Sequence, residues 1–410
     1  MNKTTHEKYP PYLRTLPLAC VAVAIAAVSA PAFAVSGYTE ARNDAMGGTG
    51  VASSKYTAAP LANPALLSAY DDSDDFAVVL PAAGMQVSDQ DRMTDGFDDI
   101  SDEWDRLEHS RWNGNSAQSA DKLLSLLDKY DGKSLRAEAG VSAVVAIPNG
   151  VLPAAVVINS HGQAKATARV TDADRGYLAQ VAAGREVTQE DLDNLTSRAE
   201  GSGAVVTDVG ISLAHPFTLA DTSFSAGITP KFQRVDTWNY NVSIGHYDSG
   251  DFHSEASHGT KNGMNVDAGI AAYITPSWTV GLAGKNLVSR NVDTKEVNGV
   301  RDTYNIRPQI TAGTAWSNGF VTLAADADLT PASGFASDEK AQYLGVGAEF
   351  NAGSWAQLRA GYRLDMRDSD NNVFTAGVGV SPFDVVHFDL TGLAGTERTY
   401  GAVLQLSVTF

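Results

Sequence analysis

The chain closes on Tyr400-Gly401-Ala402-Val403-Leu404-Gln405-Leu406-Ser407-Val408-Thr409-Phe410. Tyr400, Ala402, Leu404, Leu406, Val408 and Phe410 alternate with Gly401, Val403, Gln405, Ser407 and Thr409. Successive side chains of a strand point to opposite faces, so one face of this stretch suits lipid and the other suits water. That makes a closed sheet that crosses a membrane the leading expectation. The rest of the chain tests the idea.

The N-terminus reads as a secretory signal. Lys3, Lys8 and Arg14 make a basic region, Leu16 to Ala30 an apolar run, and Ala32-Phe33-Ala34 a small-x-small cleavage pattern, so maturation is expected after Ala34. The apolar run is shorter than the ~20 residues a membrane helix needs, and Pro31 closes it. The single cysteine, Cys20, lies in this segment, and Pro17 occupies the place where a lipobox wants an aliphatic residue. The mature chain then has no thiol, which excludes cysteine-based metal, redox and nucleophile chemistry. Removing residues 1–34 leaves 27 Lys and Arg against 47 Asp and Glu, a net charge of −20. A field of that sign repels phosphate backbones, so nucleic acid is not an expected partner.

Three kinds of segment follow. Residues 35–75 are rich in small side chains and end in the acidic group Asp71, Asp72, Asp74 and Asp75. Two polar insertions, Phe97 to Lys129 and Asp172 to Glu200, space their leucines as short amphipathic helices do, without sustained heptads. The remainder is strand-like. Strands are predicted at 76–87, 139–147, 154–168, 203–214, 222–235, 264–275, 278–289, 305–316, 319–329, 341–350, 354–364, 372–381, 384–393 and 400–410. Their connections alternate between short ones, such as Pro276–Ser277 and Ser317–Asn318, and long ones at 88–138, 169–202, 236–263 and 290–304. Short turns at one end and long loops at the other is the plan of a transmembrane antiparallel β-barrel, here of about 14 strands across 76–410.

Alternation is clean in several strands. Leu358, Ala360, Tyr362 and Leu364 oppose Gln357, Arg359, Gly361 and Arg363, and Val386, Phe388 and Leu390 oppose His387, Asp389 and Thr391. A soluble sandwich would turn the apolar face inward and a membrane barrel would turn it outward. The export signal and the C-terminal Phe410 favour the barrel, because a strand ending in a terminal Phe resembles the assembly signal of bacterial outer-membrane barrels. That resemblance assigns Tyr400 and Phe410 to assembly. It implies the barrel-assembly machinery, outer-membrane lipid and lipopolysaccharide as partners of a monomer in a Gram-negative outer membrane.

The segment Ala41-Arg42-Asn43-Asp44-Ala45-Met46-Gly47-Gly48-Thr49-Gly50-Val51-Ala52 precedes Asn63-Pro64-Ala65-Leu66. This layout resembles the N-terminal hatch of the FadL-type family of long-chain fatty-acid and hydrophobic-compound channels, and more narrowly the TraF-like (plasmid transfer operon) branch of that superfamily. The resemblance implies a fourteen-stranded barrel with residues 35–75 as its plug. It also implies gating around Gly47, Gly48, Gly50, Asn63, Pro64 and Ala65. Small residues let a backbone lie close to a barrel wall, while Asn63 can cap or turn the chain and Pro64 fixes it. Read alone, Asn63-Pro64 also fits an ordinary turn into a short helix.

Projected onto the alternation, the lumen face collects Asp267, Lys285, Arg307, Asp326, Glu349, Arg359, Arg363, His387 and Asp389. These groups are expected to neutralise one another across neighbouring strands and to grip the plug. They make no Ser/His/acid set, so no enzyme activity is expected. His246, Asp248, Asp251, His253, Glu255 and His258 fit no zinc spacing, and neither a metal nor another cofactor is expected. The resulting expectation is passive uptake of a hydrophobic, fatty-acid-like small molecule, captured first by the loop helices. The alternative is a non-transporting surface scaffold in conjugation-associated or cell-contact assembly. An exported soluble β protein is the third reading.

Overall fold

A computed structural model describes residues 39–70, 74–110, 115–243, 257–338, 340–353, 355–382, 385–396 and 398–410. The expected signal segment and the residues from His246 to Glu255 lie outside the described residues. The strands are β1 (Ala77–Ser88), β2 (Ser134–Ile147), β3 (Ala154–Arg169), β4 (Arg198–Leu219), β5 (Thr222–Ser243), β6 (His258–Thr275), β7 (Trp278–Lys285), β8 (Arg290–Asp293) and β9 (Thr303–Ile306). They continue as β10 (Gln309–Ser317), β11 (Val321–Asp328), β12 (Gly334–Phe335), β13 (Tyr343–Ala352), β14 (Ala356–Asp365), β15 (Val373–Val380), β16 (Val386–Gly395) and β17 (Thr399–Thr409).

Fourteen of these close into one barrel, and β8, β9 and β12 form a separate small sheet. Each barrel strand pairs antiparallel with its neighbours, and β1 meets β17 with Ala77 opposite Thr409 and Ser88 opposite Thr399. At the seam Phe410 N–H donates to the Phe76 carbonyl at 2.9 Å, and the two rings stack with centroids 4.7 Å apart. Closure satisfies every edge, which a sheet in hydrocarbon requires. No helix among the described residues is long and apolar enough to cross a membrane, so crossing falls to the strands.

The apolar face points outward. Leu404 is 50 % exposed while its neighbours Val403 and Gln405 are buried, and Leu323, Leu358 and Phe388 are likewise exposed beside buried polar neighbours. Trp278, Trp316, Phe320, Phe350 and Trp355 stand exposed near the short-turn end, where an aromatic girdle belongs. The reading as a soluble sandwich therefore fails on the direction of the pleat.

Boundaries depart from expectation where a local residue breaks the ladder. β7 stops at Lys285 because Asn286 takes a left-handed backbone (φ 53°) and turns the chain inward, so the strand does not reach residue 289. Pro308, which has no N–H to give a ladder, delays β10 to Gln309. Residues 290–306 accordingly form the strands of the small sheet rather than a plain loop. β4 and β5 each run 22 residues, about 70 Å at ~3.3 Å per residue, well beyond a hydrocarbon core of ~30 Å. About half of the expected loop at 236–263, and the end of the one at 169–202, is thus wall that rises above the membrane.

The two insertions are helical as their spacing predicts. Helix α3 (Met93–Ser110) and α4 (Ser116–Tyr130) come from the first, and α5 (Asp172–Ala182) and α6 (Gln189–Asp193) from the second, while α1 (Ala41–Ala45) and α2 (Ala59–Ala62) lie in the N-terminal segment. Phe97, Trp104, Leu107, Leu123, Leu127, Leu178, Val181 and Leu192 pack together in one buried core with Leu135 of β2 and Ala166 of β3. This cap uses its own apolar faces internally.

Candidate functional site

The N-terminal segment is held by inward-facing groups from strands all around the barrel. Its first turn is self-capped: the Glu40 carboxylate accepts the Asn43 N–H at 2.5 Å, and Asp44 Oδ2 accepts the Glu40 N–H at 3.3 Å. Thr391 Oγ1 donates to the Ala41 carbonyl at 2.6 Å, and the Ala41 N–H donates to Gln405 Oε1 at 3.0 Å. Thr375 Oγ1 donates to the Ala45 carbonyl at 2.9 Å and accepts the Gly47 N–H at 3.0 Å. Gly47 and Gly48 then take φ of 74° and 81°, which turns the chain back after α1.

The next grip is Asp326, whose Oδ2 accepts both the Gly50 N–H at 2.7 Å and the Val51 N–H at 2.8 Å. Lys285 Nζ donates to the Leu61 carbonyl at 2.6 Å. Asn63, fully buried, ties three chain stretches together. Its Nδ2 donates to Val51 O at 2.8 Å and to Ile270 O on β6 at 3.2 Å, while its Oδ1 accepts the Ala65 N–H at 3.1 Å and caps the 3-10 turn Pro64–Ser68. Ser225 Oγ of β5 donates to the Ala65 carbonyl at 2.8 Å. The Asn-Pro pair is therefore both the expected cap and a barrel contact.

Close approach depends on wall glycines. A β-carbon at Gly361 would sit 2.2 Å from the Gly47 nitrogen, and one at Gly281 would sit 2.4 Å from the Val51 carbonyl oxygen. Both lie on strands, β14 and β7, where any larger residue would hold the segment off.

The lumen charges fall into two clusters rather than one. Arg42 binds Glu349 through Nε at 2.8 Å and Nη2 at 2.9 Å, and Glu349 also takes Arg359 Nε at 2.7 Å, whose Nη1 reaches Asp389. Asp267 stands apart, sharing Lys231 with Asp208 at 2.9 Å each. Arg363 lies over the Tyr343 ring, 4.9 Å from its centroid. Arg307 makes no ion pair with a carboxylate among the described residues. Arg307 lies between β9 and Pro308, outside any barrel strand, and donates to the Arg290 and Ile306 carbonyls and to Asn305 Oδ1. His387 bonds Ser381 Oγ at 2.8 Å and Thr409 Oγ1 at 3.0 Å near the short-turn end. Tyr400 faces outward, 65 % exposed, at the loop end of β17. His258 stacks on Trp238 and meets Asp236 at 3.0 Å, and among the described residues no group of three His, Cys, Asp or Glu could hold a metal.

Sequence reasoning missed Arg42, Asp208 and Lys231. Asp208 and Lys231 sit at inward positions of β4 and β5, and counting alternation through those longer strands would have found them. Arg42 carried no such signal, since its segment has no strand period.

Two cavities lie in series above the segment. The lower, about 160 Å³, is lined by Asp44, Gly47, Gly48 and Gly50 below and by Asp267, Asp326 and Arg363 from the wall. The upper, about 500 Å³, lies between β1–β3 and the small sheet, with Arg136, Glu138, Tyr304 and Phe335 in its lining. His161, Asn286, Gln309 and Tyr343 line both, so the upper chamber adjoins the lower cavity.

A closed fourteen-stranded barrel with an N-terminal segment held within it is the architecture of the FadL-type outer-membrane channels. A family model described as "F plasmid transfer operon, TraF, protein" matches residues 60–328, more than half the chain, and the chain belongs to that family. Among solved structures, the Ralstonia pickettii toluene transporter TbuX is similar at 13 % identity and a TM-score of 0.53, covering 92 % of this chain and 99 % of its own. The Pseudomonas putida toluene transporter TodX matches at 11 % identity and a TM-score of 0.52, over 92 % of this chain and 98 % of its own. A Pseudomonas aeruginosa FadL homologue matches at 12 % identity and a TM-score of 0.51, over 92 % and 99 %. At such identities the likeness is one of fold. No curated protein matches the chain.

Proposed function

We propose that this protein is a passive outer-membrane channel that admits a small hydrophobic molecule past an N-terminal plug formed by the segment around Gly47–Gly50 and Asn63–Ala65. The observation that carries this reading is the pair of cavities in series, which share four lining residues and end on that segment. An upper chamber of about 500 Å³ falls within the usual size of small-ligand pockets. Tyr304, Phe335 and Tyr343 offer it aromatic surface. The fold shared with toluene transporters and a FadL homologue supports the same reading. Because the loop helices bury their apolar faces in their own core, capture begins in the chamber and not on the helices.

Passage requires that the cargo favour the displaced plug over the docked one, since a ligand shifts an equilibrium only by its differential affinity. Asn63 sits where that difference is set. Native mass spectrometry of the detergent-released barrel, with and without an added long-chain fatty acid, tests the cargo class. A retained, exchangeable apolar ligand that Asn63→Ala weakens supports the channel. An empty barrel that takes up neither the fatty acid nor a neutral or amine-headed hydrocarbon, or uptake unchanged in a normally assembled Asn63→Ala, counts against this mechanism. The closed helical cap is the one feature that favours a non-transporting surface scaffold, and an empty barrel would move the reading there.

A further inference from the structure

Two ionisable side chains inside the barrel, Asp44 and His161, are sparsely bonded. Asp44, on α1, is 4 % exposed, accepts only the Glu40 N–H at 3.3 Å, and forms no ion pair among the described residues. His161, on β3, is 7 % exposed, and neither ring nitrogen makes a hydrogen bond among the described residues, with Nδ1 shut away altogether. Both line the lower cavity, and His161 also faces the chamber above it. A buried carboxylate with one long hydrogen bond and a buried imidazole with none are costly, which marks the pair as a candidate ligand site.

The surroundings say which ligand. The lower cavity is lined by six carboxylates and three cationic side chains. Lys231 is already held between Asp208 and Asp267, and Lys285 donates to the Leu61 carbonyl. Arg363 also acts on Asp44, yet carboxylates still outnumber cations in the lining, an excess that disfavours an anionic head. No three ligating side chains gather as a metal would need among the described residues. An ammonium group has three donors, which suits a carboxylate oxygen and an imidazole nitrogen together.

We propose that the lower cavity binds the ammonium end of a small primary amine, ion-paired to Asp44 and donating to His161. The hydrocarbon body lies in the chamber beside Tyr304, Phe335 and Tyr343. This deepens the channel reading, on which it rests, by naming the charged end of the cargo.

The test compares benzylamine, benzyl alcohol and benzoate, which share one skeleton, by calorimetry on the full chain in detergent. Benzylamine should bind at least about tenfold more tightly than benzyl alcohol, a ratio set by one charge-assisted contact, and benzoate most weakly. Asp44→Asn keeps an oxygen for the Glu40 N–H and so keeps the turn. It should bring the ratio of benzylamine to benzyl alcohol affinity down to about one. His161→Leu removes an unpaired polar group, so the barrel should fold at least as well while amine affinity falls. Equal binding of amine and alcohol, or a preference that survives both substitutions, overturns the proposal. Liposome uptake of the same compounds separates this inference from the channel reading. Uptake without amine preference keeps the channel and sinks the site, whereas preferential binding without uptake keeps the site and sinks the channel.

Discussion

Gly361→Ala should loosen the N-terminal segment without unfolding the barrel. The new β-carbon would lie 2.2 Å from the Gly47 nitrogen and 2.3 Å from the Met46 carbonyl carbon. Both are backbone atoms, so no rotamer change can relieve the clash, and the segment must retreat by about 1 Å or more to regain ordinary contact. Overpacking of this kind costs about 1–3 kcal/mol. The retreat also breaks the bond from the Gly47 N–H to Thr375 Oγ1, now 3.0 Å, at about 1 kcal/mol for a typical hydrogen bond. Together the two give about 3 kcal/mol, or roughly a hundredfold rise in the released population. Hydrogen exchange of the amides at 41–52 should speed up accordingly, and single-channel conductance in planar bilayers should rise. Heat-modifiable migration, which reads the barrel wall, should stay as in the parent. Gly392→Ala is the control, since a β-carbon there meets nothing within 4 Å on its strand. Unchanged exchange at 41–52 in Gly361→Ala would refute the close-packed geometry and the plug reading built on it.

Three further outcomes are expected. Arg42→Met strips Glu349 of its bidentate partner and Ser53 O of its donor, so the segment should lose about 3 kcal/mol of docking energy and the pore should leak more current; identical conductance would deny Arg42 that role. In the loop cap, donation from the Val170 N–H at 2.9 Å and from Arg175 at 2.7 Å holds the Asp131 carboxyl below the usual carboxylate range. Its contribution is therefore present above the unfolded value of about 3.9 and is lost as the pH falls through the lower folded value. Helical circular dichroism should fall on acidification across that window, with Asp131→Asn flattening the slope; parallel slopes would show that other groups dominate. Phe410→Ala removes the stack on Phe76 at the β1–β17 seam, worth about 1 kcal/mol beyond its area, so folded barrel should accumulate more slowly on assembly. An unchanged folded fraction would leave the terminal ring without a part in closure.

Much of the architecture was legible because a strand's period is two. Tyr400–Phe410, Gln357–Leu364 and Val386–Thr391 each declared two faces, and all fourteen barrel strands lie where such runs occur. Leucine spacing likewise declared the helices of the insertions. Boundaries were less legible, because Asn286 and Pro308 end and delay strands through one residue's backbone, against an alternation that continues past them.

The candidate site was half legible. Asp326, Glu349, Arg359 and Asp389 could be assigned to the lumen by counting alternation, but which carboxylate meets which cation depends on register between strands far apart in sequence. Arg42 meets Glu349 across 307 residues, and Asp326 meets Gly50 across 276. Local pattern therefore determined the strands, their two faces and the order of short and long connections. The inward fold of the small sheet, the closure of the helical cap on its own core and the sparse bonding of Asp44 and His161 were decided only by tertiary structure. Each of these is a property of which surfaces meet, and a single chain's periodicity contains the faces but not their partners.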